Sequence, residues 1–157
     1  VDAGNLAAIG IPSADVRNQG MIDGLNRIGY AAVMVGEREL AKGYEAFQEL
    51  REQAEFPFVS ANFVFEEDRE TLVEPYVIQT VRRRQREIRV AIVGLTRYNT
   101  SFLKATRDGR NIVVASPFET ARDLIPRVRE EADVVVVLTA LSISQSRQLA
   151  REVAGID

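Results

Sequence analysis

Asp133-Val134-Val135-Val136-Val137-Leu138 is the stretch on which the fold turns. Its apolar run is far below the roughly 20 residues that a membrane helix needs. With no polar residue on either alternating face, it predicts a strand covered on both sides, as in a parallel sheet packed between other layers. The residues before it read as a helix. Ser116 can cap, Pro117 takes the first helical position, and Glu119 lies three residues after the cap. Phe118, Ala121, Leu124, Ile125 and Val128 then share one face, while Pro126 is expected to kink or interrupt the helix. Ser144 to Ala154 predicts a closing helix.

The same alternation runs through the first half of the chain. Val16, Ile22, Leu25 and Ile28 fall near one helical face, with Gly29 where a C-terminal cap belongs. Ala31-Ala32-Val33-Met34-Val35, ending at Gly36, predicts a buried strand. Leu40 to Ala54 carries Leu40, Tyr44, Phe47, Leu50 and Ala54 at helical spacing, and Phe58 to Ala61 predicts another short strand. Tyr76 to Val81 and Ile88 to Val93 are β-rich runs joined by the polar segment Arg82 to Glu87, a hairpin pattern. Asn99 to Asn111 reads as a loop. Buried strands alternating with amphipathic helices indicate a single layered α/β domain over residues 1–157, a sandwich of mixed sheet and helices.

Three absences bound the chemistry: there is no His, no Cys and no Trp. This chain supplies no disulfide, no thiol nucleophile, no imidazole base and no imidazole metal ligand. A formal net charge of −3 with mixed signs argues against a general nucleic-acid binder. No apolar run is long enough to span a membrane.

Six segments carry a family likeness: Val1-Asp2-Ala3-Gly4-Asn5; Gly29-Tyr30-Ala31-Ala32 through Gly36-Glu37-Arg38-Glu39; Phe56-Pro57-Phe58-Val59-Ser60-Ala61-Asn62; Pro75-Tyr76 leading to Ile88 through Thr96; Ala132 to Leu138; and Gly155-Ile156-Asp157. In order and spacing they resemble the calcineurin-like metallophosphoesterases, specifically the 5′-nucleotidase branch. The resemblance implies that family's layered fold, of which this chain is expected to be an incomplete piece. The family's first motif, Asp-x-His, is expected upstream of Val1, and its last, Gly-His-x-His, beyond Asp157. Their strands are expected beside those of Val33 and Val135, with neighbouring chain or a partner covering the sheet edges.

The departures matter more than the matches. The resemblance implies two metal ions that bind phosphate and activate water. At the position of the bridging aspartate stands Asn5; Glu37 replaces the asparagine of Gly-Asn-His-Glu, and Arg38 the histidine beside it. Ala140 stands where a histidine follows the Val-rich strand. An amide in place of a shared carboxylate leaves cation repulsion less compensated, and a guanidinium adds fixed positive charge. No metal and no cofactor are therefore expected. Asp2, Asn5, Glu37 and Glu39 offer an oxygen-only Ca²⁺ or Mg²⁺ site as an alternative, against which an ion pair between Glu37 and Arg38 is the reading preferred. Arg38 is also a candidate for binding an anion without metal.

The expectation is a catalytically inactive domain serving as a structural or protein-interaction module in a larger chain or assembly. The alternative is a metal-dependent hydrolase of nucleotide phosphoesters. A protein partner is expected and nucleic acid is not. The resemblance implies a periplasmic or extracellular location. The run Arg82-Arg83-Arg84-Gln85-Arg86 is read as a solvated turn, with contact to an acidic protein surface left open. Asn99-Thr100-Ser101 fits a glycosylation triplet, and Tyr98 and Phe102 are candidate partner anchors.

Overall fold

The computed structural model describes residues 1–84, 86–97, 106–107 and 109–157. The elements in chain order are α1 (Ala14–Ile28), β1 (Val33–Met34), α2 (Tyr44–Gln53), β2 (Phe58–Val59), β3 (Phe63–Phe65), β4 (Tyr76–Arg83), β5 (Arg86–Leu95), β6 (Thr106–Arg107), β7 (Arg110–Val114), α3 (Pro117–Glu131), β8 (Val134–Thr139) and α4 (Ile143–Glu152). β1 pairs with β2 in parallel, and β3, β7 and β6 form an antiparallel group. In the third group β5 lies between antiparallel β4 and parallel β8.

Strand alternation sorts the apolar side chains into three layers of core. Val33 and Val35 face Ile22 of α1, Tyr44 and Phe47 of α2, and the aromatic residues Phe58, Phe63 and Phe65. Ala32 and Met34, one residue out of phase, meet Val59, Ile92 and Leu138. Ala91, Val93, Leu95 and Val135 turn the other way, against Ala121, Leu124, Ile125 and Val128 of α3 and Leu149 of α4. The result is helices, sheet, sheet, helices. Fully buried Phe47 packs edge-on against Phe58 with ring centroids 5.3 Å apart, a burial worth about 2–3 kcal/mol. Gly94 sits where the sheets touch: a Cβ there would lie 2.5 Å from the Val59 carbonyl oxygen and 2.9 Å from Met34 Cγ.

The predicted elements form, with specific corrections. Gly29 caps α1 in the left-handed region at φ 75°, and Ser116 accepts the Glu119 N–H at the start of α3. Pro126 does not interrupt α3, which runs on to Glu131 with that ring on its exposed side. Val16 and Ile28 do not join the buried face of α1; they are exposed, and Ala14, Asn18 and Ile22 are buried instead. The geometry explains this, because six helical positions separate Val16 and Ile28 from Ile22 and turn each about 120° away from it. α2 begins at Tyr44 rather than Leu40, after Gly43 at φ 98°. β3 and β7 form where a loop or nothing was expected, Phe63 pairing with Val114 and Phe65 with Ile112. The hairpin arginines extend the strands: Arg83 pairs with Arg86, and Arg84 stands at φ 56° after β4.

The backbone of β1 is flanked within the chain on both sides, by the Asp2–Val33 bridge and by β2, where Val33 pairs with Phe58. On the far side of β8 the Asp157 N–H reaches the Val135 carbonyl at 3.1 Å. Among the described residues no helix is long and apolar enough to cross a membrane. Tyr98, the Asn99-Thr100-Ser101 triplet and Phe102 lie outside the described residues.

Candidate functional site: loops at the strand ends

The parallel strands β1, β5 and β8 deliver their C-terminal ends to one edge of the molecule, the position where open α/β sheets place ligands. Hydrogen bonds stitch these ends together. Thr96, just past β5, directs its hydroxyl at the Val35 carbonyl, 3.4 Å away, and the Ala140 N–H donates to the Leu95 carbonyl at 3.2 Å. Fully buried Asn62 fixes the neighbouring turn. Its Oδ1 accepts the Thr96 N–H at 2.8 Å, and its amide donates to the Thr96 and Ala115 carbonyls at 2.7 and 3.0 Å.

The loop after Asp2 is held by one side chain. Glu39, only 3% exposed, accepts four backbone N–H groups, those of Asn5, Leu6, Ala7 and Gly36, at 3.0, 2.7, 3.0 and 2.8 Å. Gly4 and Asn5 both adopt left-handed φ values, 79° and 61°, which turn successive N–H groups toward one point and make an anion-binding nest. The chain fills that nest with its own carboxylate. Asp2 Oδ1 accepts the Gly4 N–H at 3.0 Å, and Asn5 Oδ1 accepts the Arg38 N–H at 3.1 Å. Gly36 admits the Asn5 side chain, since a Cβ at Gly36 would lie 2.6 Å from Asn5 Oδ1. Gly4 is equally confined: its Cβ would lie 2.4 Å from the Met34 carbonyl oxygen.

The sequence-derived candidates do share this edge, but their pairings differ from expectation. Glu37 and Arg38 do not form an ion pair. Glu37 is paired with Arg97 at 3.4 Å, because adjacent residues of a turn diverge while Arg97 follows Thr96 off β5 of the facing sheet. The Arg38 guanidinium is exposed and makes no ion pair with any described residue. It lines a groove of about 200 Å³ with Ala7, Asn18, Lys42 and Glu49. Ala140 sends its methyl toward the apolar layer between the sheets. Asn62 and Thr96, as fasteners of the strand ends, escaped sequence reasoning beyond the resemblance. The only local signal was a polar residue directly following each apolar strand.

This donor set does not fit a dinuclear metal centre. Glu39 has both oxygens engaged by backbone N–H groups, Asn5 is a neutral amide already accepting one, and Ala140 has no donor on its side chain. Of the residues expected in an oxygen-only site, Asp2 Oδ1 accepts the Gly4 N–H and Glu37 pairs with Arg97, while Asn5 and Glu39 are engaged by backbone N–H groups. Among the described residues no three His, Cys, Asp or Glu side chains converge as a metal site.

No family model matches the chain. It is 29% identical over 133 residues to the protein UshA of Salmonella pullorum, covering 83% of this chain and 24% of that protein. To the 5′-nucleotidase of Vibrio cholerae it is 27% identical over 140 residues, covering 87% of this chain and 25% of the relative. The chain thus spans about a quarter of the length of these curated relatives. The solved 5′-nucleotidase precursor of Thermus thermophilus superposes on 99% of the chain and 30% of its own length, with a TM-score of 0.80 at 24% identity. The calcineurin-like phosphoesterase YfkN of Bacillus subtilis does so over 99% of the chain and 55% of its own length, with a TM-score of 0.78 at 23% identity. The chain has the layered α/β fold of the metallophosphoesterases, and in sequence it resembles the 5′-nucleotidase branch of the calcineurin-like family.

Proposed function

We propose that this chain is a metallophosphoesterase-like domain without the dinuclear hydrolytic chemistry, kept as a structural or interaction module of a larger chain or assembly. The observation that carries this reading is the donor set at the strand ends. Asn5 is bonded to the Arg38 backbone, Glu39 is consumed by four N–H groups, and Ala140 presents a methyl group. The departures at Asn5 and Ala140 remove a charge and a lone pair from the place where two divalent cations need them. Elemental analysis of the purified full-length protein, with 5′-nucleotide hydrolysis assayed in added Mn²⁺ or Zn²⁺, tests it. Substoichiometric metal and no turnover are expected; stoichiometric metal with turnover overturns the reading.

A second reading, a metal-dependent hydrolase of nucleotide phosphoesters, draws its support from the relatives. The Vibrio cholerae relative and the Thermus thermophilus structure are named 5′-nucleotidases, and the comparisons favour this reading over the first. It requires donors from outside the residues described above. The same assay separates the two. Location in the periplasm or outside the cell, which the family resemblance implies, belongs to either reading. Arg38, exposed and free of ion pairs among the described residues, is the residue we propose for any metal-free anion contact. Arg38→Ala then removes phosphate binding, and unchanged binding rejects that role.

A further inference from the structure

The β4–β5 hairpin lies away from the strand-end loops and carries a charge signal that neither reading uses. Between Arg82 and Arg89 there are five arginines and one glutamate, in a chain of formal net charge −3. β4 is the edge strand of its sheet, with no strand on its outer side among the described residues. The Gly94 N–H donates to the Pro75 carbonyl at 3.5 Å, which sets the phase of the antiparallel ladder. By alternation Val77, Gln79 and Val81 bond to β5, and the N–H and C=O groups of Ile78, Thr80 and Arg82 point away from it.

Two further features mark the outer half of the hairpin. Gln79 donates to the Ala31 carbonyl at 3.3 Å, where the facing layer still covers the sheet. Two residue pairs beyond, Val81 and Ile88 stand directly opposed and are 52% and 41% exposed. Arg82 is neutralised by Glu87 at 2.6 Å and Arg89 by Asp133 at 3.6 Å. Arg84 and Arg86, both exposed, pair with no carboxylate among the described residues.

We propose that β4 is a docking strand for a partner protein, which adds an acidic segment of alternating apolar residues in extended form along Tyr76–Arg83. Its main chain satisfies the outward groups of Ile78, Thr80 and Arg82, its apolar side chains cover Val81 and Ile88, and its carboxylates meet Arg84 and Arg86. An anionic bilayer fits less well, because the cationic turn is at the tip and the apolar pair is set back behind it. A second copy of this chain fits less well too. Its own acidic stretch is already held by Arg110, which pairs with Glu67, Asp68 and Glu70 at 3.8, 2.6 and 3.7 Å. The proposal is independent of whether the strand-end loops hydrolyse anything.

Fluorescence polarisation of the full-length protein with a labelled eight-residue peptide of alternating Glu and Val tests it, with a peptide of alternating Lys and Val as control. The acidic peptide is expected to bind and the basic one not. The Arg84→Glu/Arg86→Glu variant, altered only at exposed positions, is expected to weaken binding at least tenfold with an unchanged circular dichroism spectrum. Thr80→Pro, which removes an outward N–H, is expected to weaken it similarly; the arginine variant carries the test where the proline variant does not fold. Equal binding of the basic peptide, or no effect of the charge reversal, overturns the proposal. So does binding to phosphatidylserine vesicles without a peptide response, or concentration-dependent dimerisation that Thr80→Pro abolishes.

Discussion

The side-chain carbonyl of Asn5 accepts the backbone N–H of Arg38 at 3.1 Å, so two positions that the resemblance assigns to metal and phosphate chemistry are bonded to each other. An amide suits this latch, because Asn tolerates the left-handed backbone that residue 5 adopts. Asn5→Asp alone is expected to shift stability by less than about 1 kcal/mol and to create no Mn²⁺ site by isothermal titration. The combined variant Asn5→Asp/Glu37→Asn/Arg38→His/Ala140→His is expected to take up Mn²⁺ measurably. Stoichiometric Mn²⁺ on the unaltered protein contradicts this account.

Glu39 is the strongest single fastener of the candidate site. Glu39→Ala strips four backbone N–H groups of their acceptor, and a buried unpaired donor costs about 1–3 kcal/mol. With water reaching part of the loop, a loss of about 3 kcal/mol or more is expected in urea unfolding. Glu39→Gln keeps one carbonyl oxygen and is expected to lose roughly half as much.

Asn62→Ala tests the fastening on the other side. It leaves the Thr96 N–H and two carbonyls unpaired in a fully buried turn. A loss of about 2–4 kcal/mol is expected, with faster amide exchange at Thr96 and Ala115 than at the centre of β5. Uniform exchange acceleration across the domain contradicts a local role.

Gly94 probes the contact between the sheets. Gly94→Ala places a methyl against the Val59 carbonyl, 2.5 Å away, and that group is main chain and cannot swing aside. Overpacking of this kind costs about 1–3 kcal/mol, to be read by thermal unfolding. Gly109→Ala is a useful contrast. Among the described residues no atom beyond its chain neighbours lies within 4 Å of its added Cβ, so the expected cost is that of the positive φ.

Acid sensitivity should localise to the start of β8, where Asp133 precedes Val134 and Asp157 bonds Val135. The Asp133 carboxyl is held below the ordinary aspartate value by the Arg89 backbone N–H and then by the Arg89 and Arg129 charges. Asp157 is held low by the Val135 N–H and then by Arg129. A carboxyl lowered in the folded state stabilises fully above its unfolded pKa of about 4. That stabilisation fades as the pH falls from there through the lower folded value. Asp133→Asn and Asp157→Asn are expected to flatten the acid side of the stability profile, measured by urea midpoints between pH 2 and pH 6. An unchanged slope rejects the assignment.

Much of this architecture was legible because its causes are local. Val134 to Leu138, the cap at Ser116 and the turn at Gly29 each announce themselves within a few residues. Val16 and Ile28 show the cost of counting apolar residues without measuring angle. β3 and β7 stayed hidden because neither run is long, and each becomes a strand only by meeting the other across 47–51 residues of chain: Phe65 against Ile112 and Phe63 against Val114 fix the register.

By itself the sequence determined which chemistry this chain lacks, since no arrangement in space creates an imidazole, a thiol or a carboxylate where the residue is Ala140 or Asn5. It determined the alternation of strand and helix as well, because burial periodicity is written in neighbouring residues. Only the tertiary structure decided what the remaining polar groups do. Glu37 meets Arg97 from the facing sheet rather than adjacent Arg38, and Glu39 closes a nest made by residues 5–7 rather than ligating an ion. Electrostatic partners are set by distance in space, and chain order does not encode that distance until the sheets have packed.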